Sequence, residues 1–180
     1  LRFRDITDGS GLENIDGHGL SALIFDANGD GRSDIFVAND YVDADRLWIN
    51  QGADANGRIR FQDDTSRHLP YTSWFSMGSD VADVNNDGLL DFMVGDMAAT
   101  THFKAKTTMG EMQGLRKWVL ENGWPRQAMR NCLFINTGTE RWQESAFLSG
   151  VARSDWTWSV KFSDFDLDGR ADLFLTNGIA

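Results

Sequence analysis

Three nine-residue phrases in this chain place oxygen-bearing side chains at the spacing that surrounds a hard cation. They read Asp26-Ala-Asn28-Gly-Asp30-Gly31-Arg-Ser-Asp34, Asp83-Val-Asn85-Asn-Asp87-Gly88-Leu-Leu-Asp91 and Asp164-Phe-Asp166-Leu-Asp168-Gly169-Arg-Ala-Asp172. Each puts Asp or Asn at positions 1, 3, 5 and 9 and Gly at position 6. Alternate residues of such a loop point inward, the Gly allows a sharp turn, and the carbonyl of position 7 can add an oxygen. Carboxylates held about 5 Å apart repel by roughly 3 kcal/mol per pair at an effective dielectric near 20. A bound divalent ion removes that repulsion. The chemistry predicted is Ca2+ binding, about three ions per chain.

The residues around each phrase say what positions it. An EF-hand requires Glu at position 12, but the twelfth residues here are Val37, Val94 and Leu175. The ninth position leads instead into short apolar runs, Ile35-Phe36-Val37, Phe92-Met93-Val94 and Leu173-Phe174-Leu175. An apolar run such as Leu20-Ser-Ala22-Leu-Ile24-Phe25 also precedes the loop. The ion would therefore sit between two β-strands. An Asp/Asn/Gly-rich hairpin turn without metal shares this composition, and the threefold repetition of one pattern favours the ion.

The repeat is longer than the loop. Phe3, Phe61 and Trp142 recur upstream, Asn39, Asp96 and Asn177 downstream, and Leu47-Trp-Ile-Asn50-Gln-Gly52 matches Leu133-Phe-Ile-Asn136-Thr-Gly138. Four short strands with Gly/Asn/Asp turns, repeated, predict an all-β chain: a sector of a β-propeller, about three four-stranded blades with a helical insertion. The units run over about 1–58, 59–140 and an incomplete 141–180. The chain reads as opening on the last strand of a preceding blade, and so as a segment of a longer protein. In the first strands, Phe75, Met77, Ser79 and Val81 alternate with small residues, as do Trp156, Trp158, Val160 and Phe162. The large side chains are expected to pack on a neighbouring blade, with the small ones near the axis.

An insert over residues 99–130 interrupts the second unit. Thr108-Met-Gly-Glu111 predicts a helix N-cap, followed by Met109, Met112, Leu115 and Val119 at helical spacing. Gly123 and Pro125 predict its stop, and Pro125 the start of a second short helix through Met129. Lys104, Lys106, Arg116, Lys117, Arg126 and Arg130 outnumber Glu111 and Glu121 in this stretch. It reads as a separable flap over the sheet, or as a docking site for an anionic partner.

The net charge of −10 excludes the basic surface that nucleic acid demands. No apolar run reaches the roughly 18 residues of a membrane span. Cys132 is the only cysteine, so neither a disulfide framework nor a Cys-based metal site is expected. His18, His68 and His102 fall at unrelated repeat positions, and His18, aligned with Phe75 and Trp156, is expected in the core or facing the axis. No catalytic motif is present, and the chain is expected not to be an enzyme.

The phrases Gly17-His18-Gly19…Phe25-Asp26-Ala-Asn28-Gly-Asp30-Gly31, Ser76-Met-Gly78-Ser-Asp80-Val-Ala-Asp83 and Asp155-Trp-Thr-Trp158…Asp164 resemble the FG-GAP/VCBS calcium-binding propeller repeats of integrin α subunits. They resemble more closely those of secreted proteins that carry an ASPIC/UnbV domain. The older wording departs here, with Phe75-Ser and Val94-Gly-Asp in place of Phe-Gly and Gly-Ala-Pro. The resemblance implies a seven- or eight-bladed propeller and an extracellular, cell-surface or periplasmic location. It implies calcium held by the side chains named above and by the carbonyls of Arg32, Leu89 and Arg170. It also implies binding or adhesion, with a protein or carbohydrate ligand and with the remaining blades of the same protein as partners. The alternative is the non-catalytic sector of a secreted enzyme, for example one acting on polysaccharide.

Overall fold

The computed structural model describes residues 2–12, 17–108, 117, 121 and 125–178. The first sheet is an antiparallel meander of β1 (Gly19–Phe25), β2 (Asp34–Asn39), β3 (Arg46–Ala53) and β4 (Ile59–Asp63). A short helix α1 (Thr65–His68) and a two-residue strand β5 (Thr72–Ser73) lead on. The second sheet repeats the meander with β6 (Ser76–Ala82), β7 (Asp91–Ala98), β9 (Cys132–Ile135) and β10 (Gln143–Glu144). Between β7 and β9 lie helix α2 (His102–Thr108) and strand β8 (Gln127–Ala128). A third unit begins with β11 (Asp155–Ser163) and β12 (Asp172–Asn177), and β11 touches β7 through Asp155↔Ala98 and Trp156↔Met97. The fold is all-β, and its successive four-stranded meanders are blades of a propeller sector.

Burial follows from the residue pattern. Phe92, Met93 and Val94 of β7 are all fully buried, because both faces of this strand are covered. Phe92 and Val94 turn toward the first sheet, where they join Phe25, Phe36, Leu47 and Ile49. The Phe92 ring lies 4.6 Å from that of Phe36 and 4.8 Å from that of Phe134. Met93 turns the other way, onto Val160 and the half-buried Phe162, Leu173 and Leu175 of the third unit. Removing a ring at such a site, as in Phe92→Ala, costs about 3–5 kcal/mol.

The small residues of the leading strands lie where the blades approach most closely. Ser21 and Ser79 hydroxyls are 2.8 Å apart, joining β1 to β6. A methyl group at Gly78 would stand 2.7 Å from the Trp158 carbonyl oxygen and 2.8 Å from Ser159 Cα. That position admits only Gly because the β11 backbone passes directly against it.

Several expectations are corrected. Residues 2–12 form no strand, and Phe3 is 94% exposed. The repeat that begins at residue 59 opens on β4, which pairs with β3 and completes the first blade. The two-residue alternation is broken by a register slip at the same repeat position in each leading strand: Gly19/Ser21, Ser76/Ser79 and Thr157/Ser159. This bulge shifts the side chains that follow by one face. Thr157 and Val160 are therefore both buried, while Trp158 is 46% exposed. In the insert, α2 begins at His102, so Thr108 ends the described helix rather than capping its start. Glu111, the apolar positions Met109, Met112, Leu115 and Val119, and Gly123 lie outside the described residues. The second helix expected from Pro125 to Met129 is replaced by β8, which pairs in parallel with β5. The Thr72 amide donates to the Arg126 carbonyl at 2.8 Å, so the end of the insert is stitched into the sector. His18 is exposed and its ring contacts Asp43 at 2.6 Å, outside the core.

Candidate metal centres in the three turns

Each nine-residue phrase forms the turn that joins the first two strands of a unit, at the same end of each. Two residues per turn have left-handed backbone. One is the Gly at position 6: Gly31, Gly88 and Gly169, with φ of 81°, 86° and 86°. No atom lies within 4 Å of a side chain placed there, so Gly is required for its backbone and not for space. The other is position 4, occupied by Gly29, Asn86 and Leu167, with φ of 76°, 58° and 63°. Only Leu167 is a residue that this conformation penalises.

The side chain at position 1 is held by the turn's own amides. Asp26 accepts from Gly29 and Asp30 on one oxygen, at 2.8 and 3.1 Å, and from Gly31 on the other at 2.8 Å. Asp83 accepts from Asp87 and Gly88 at 3.0 and 2.8 Å, and Asp164 from Asp168 and Gly169 at 3.0 and 2.9 Å. Position 3 accepts the position 5 amide in all three turns, at 3.1, 3.0 and 3.1 Å. Position 5 accepts the amide of position 7, at 2.9, 2.8 and 2.9 Å for Arg32, Leu89 and Arg170. One set of bonds thus orients the oxygens of Asp26, Asn28 and Asp30, of Asp83, Asn85 and Asp87, and of Asp164, Asp166 and Asp168.

Position 9 does a second job that the spacing alone does not announce. Asp34 is fully buried and accepts the Ala27 amide at 2.8 Å and, from the third strand, the Asn50 amide at 2.7 Å. Asp91 repeats this with Val84 at 3.0 Å and Asn136 at 2.8 Å. Burial raises both carboxyls above the ordinary range against those amides, and the other turn carboxylates add to the rise. Asp172 accepts only the Phe165 amide, at 2.9 Å, among the described residues, and is half-buried. Asn50 and Asn136 also bond backward: Asn50 Nδ2 donates to the Ser33 carbonyl and Asn136 Nδ2 to the Ala27 carbonyl of the neighbouring blade. The matching Asn-x-Gly of the two third strands was the sequence signal for these clamps.

The third turn is the most acidic. Its position 3 is Asp166, where the other turns have Asn28 and Asn85, whose amides donate to Asp30 and Asp87 at 2.8 and 2.9 Å. Asp164, Asp166 and Asp172 bring one oxygen each to within 4.8 Å of one another. Oxygens bound to a common Ca2+ at about 2.3–2.6 Å can lie up to about 5 Å apart, so this donor set fits a hard divalent ion. In the first turn the Arg32 side chain folds over the loop, with Nη2 2.5 Å from Asp30 Oδ2 and Nε 2.8 Å from the Asn50 carbonyl. The first two turns share a groove of about 330 Å³, walled by Asp26, Asn28, Leu89, Asn136 and Glu140. His68 lines this groove too and bonds the Glu140 carbonyl at 2.6 Å, while His102 opens α2.

No curated protein matches the chain. Residues 26–94, from the first Asp of the first turn into the strand that follows the second, match the sequence model of the FG-GAP-like repeat, and it is to that repeat that this stretch of the chain is similar.

Proposed function

We propose that this chain is a calcium-binding FG-GAP-type propeller segment of a secreted or cell-surface protein, serving binding, adhesion or scaffolding and not catalysis. The observation that carries the reading is the convergence of Asp164, Asp166 and Asp172 on one point in a turn whose bonds recur in two others. A calcium ion in each turn would offset the repulsion between carboxylates and hold the turn rigid. Asp26, Asn28, Asp30 and Asp34, and their equivalents, would be its ligands. The position 9 carboxylate would pass that rigidity to the third strand through Asn50 and Asn136. Such a device stiffens a scaffold, whose faces are then available to a protein or carbohydrate ligand. Turns of this kind fill at extracellular calcium levels even when affinity is only about 10⁻⁴–10⁻³ M.

The outer faces of the sector are suited to further blades of the same protein. Ile24 is 62% exposed at the repeat position where Val81 packs on the first blade. Phe174 is 56% exposed where Phe36 and Met93 are fully buried. Equilibrium dialysis against millimolar calcium, with metal analysis of the protein and buffer sides by mass spectrometry, tests the reading. About three calcium ions per chain are expected, with one fewer in Asp166→Ala. Protein free of calcium would overturn it.

A further inference from the structure

The joints between neighbouring blades are built twice from equivalent residues, and the two differ in charge. Both lie at the strand ends remote from the metal turns. At the joint between the second and third units, Asn131 Oδ1 accepts the Asp96 amide at 2.7 Å. Its Nδ2 donates to the Val151 carbonyl at 2.8 Å and to the Ser154 hydroxyl at 2.6 Å, and Ser154 bonds the hydroxyl of the fully buried Thr157. The joint is neutral at that position and its donors are used.

At the joint between the first and second units the same position is Asp45. Its Oδ1 accepts the Asn39 amide at 2.9 Å, as Asn131 accepts that of Asp96. Its Oδ2 is buried with no hydrogen-bond partner. Ser76, in the place of Thr157, is fully buried with its hydroxyl unpartnered. Asp96 enters the same joint. Its Oδ2 accepts the Ser73 hydroxyl at 2.5 Å and the Trp74 and Phe75 amides at 2.9 and 3.2 Å, but its Oδ1 is buried and unpartnered. Two fully buried carboxylates thus share one joint, and each has one buried oxygen without a hydrogen-bond partner. Two buried charges of one sign cannot both persist without a counter-charge. Among the described residues, no Lys, Arg or His side chain pairs with either.

We propose that the joint between the first two blades is a proton-binding site, in which one proton held at Asp45, beside Asp96, supplies the donor that the Asn131 amide supplies at the next joint. A protonated Asp45 is close to an Asn in shape and, like it, neutral with one donor and one acceptor face. Burial pushes the Asp45 carboxyl up to about 7, with the Asp96 carboxylate adding to the rise; the nearby Ser76 hydroxyl, which falls outside hydrogen-bond geometry, and the Asn39 amide oppose it. Burial raises Asp96 as well. The other titratable groups facing the pair leave it uncompensated. Cys132, on β9, is a buried thiol that both carboxylates push further up. Arg130 is bound to Glu144 at 3.3 Å. On the first-blade side His18 pairs with Asp43, and Asp40 is itself raised by burial.

The folded-state value lies above the unfolded one, so the joint is strongest below about pH 4 and weakens as pH rises through about 7. Each pH unit in that window costs up to tenfold in the folding equilibrium. The test is a carbon NMR titration of the Asp carboxyls in the whole chain at saturating calcium. Thermal melts from pH 5 to 8 of wild type, Asp45→Asn and Asp96→Asn accompany it. The Asp45 carboxyl is expected to titrate near 7, and lower in Asp96→Asn. Asp45→Asn is expected to flatten the pH dependence and to match or exceed wild type at pH 8. An Asp45 titration below pH 5, or a pH profile of Asp45→Asn parallel to wild type, would overturn the proposal. So would loss of one bound metal ion in Asp45→Asn, which would make the joint a cation site. If Asp45→Asn does not fold, the wild-type titration decides alone.

Discussion

Asp91 Oδ1 accepts the Asn136 amide at 2.8 Å across 45 positions of sequence, while Asp91 Oδ2 accepts the Val84 amide inside its own turn. One carboxylate therefore joins the turn to the third strand of the blade, and Asp34 does the same with Ala27 and Asn50. Position 9 is an anchor as well as a candidate ligand. This separates it physically from position 5, whose bonds stay within the turn.

Asp91→Asn should therefore destabilise the chain whether or not calcium is present. The new amide group would face a backbone N–H that Asp91 now satisfies, leaving a buried donor unpaired at a cost of about 1–3 kcal/mol. A loss of melting temperature is expected even in excess chelator, and a larger one in calcium, where a ligand charge is removed as well. A loss confined to calcium would show that Asp91 acts only through the ion.

Asp87→Ala should behave differently. If a site binds with a Kd near 10 μM, then 1 mM calcium stabilises it by about 2.7 kcal/mol, and Asp87→Ala removes much of that. Its melting temperature should fall in calcium and change much less in chelator. The same loss in both conditions would mean that Asp87 shapes the turn and does not hold an ion.

Leu167 is 87% exposed and has φ of 63°, where the other turns carry Gly29 and Asn86. Leu167→Asn removes a backbone penalty of about 1 kcal/mol and sacrifices no packing. Denaturant unfolding should show a gain of that size with calcium or without it. No gain, or a loss, would contradict the strain.

The Lys104 ammonium 2.6 Å from Asp155, followed by the Thr100 amide and hydroxyl, lowers the Asp155 carboxyl to about 2. This lies below the unfolded value, so the tie between α2 and β11 is complete above about pH 4 and is lost as pH falls through about 2. Asp155→Asn should speed limited proteolysis of residues 99–125 at neutral pH. Unchanged cleavage would show that the insert is held by other contacts.

The propeller sector and the turns were legible because each rests on local chemistry repeated in register: Gly at position 6, oxygens at 1, 3, 5 and 9, apolar strands after them. What escaped was set by contacts distant in sequence. β8 is two residues long and exists because Thr72 and Ser73 offer it a parallel edge, so Pro125 opening a helix was the wrong local inference. The bulge at Ser76/Ser79 and its equivalents carries no residue signature, yet it breaks the alternation that places the strand's side chains. The clamps of Asn50 and Asn136 use backbone amides, so the shared Asn-x-Gly marks the position without naming Asp34 and Asp91 as the partners. Asp45 reads as one more loop carboxylate until its burial beside Asp96 is known.

Calorimetric titration of the chelator-treated chain with calcium, and separately with magnesium, tests the central claim most directly. Turns lined by oxygens in an irregular shell should take about three Ca2+ per chain, and Mg2+ far more weakly, because the smaller ion demands near-octahedral geometry. The absence of calcium heat, or an equal response to both ions, would contradict the account.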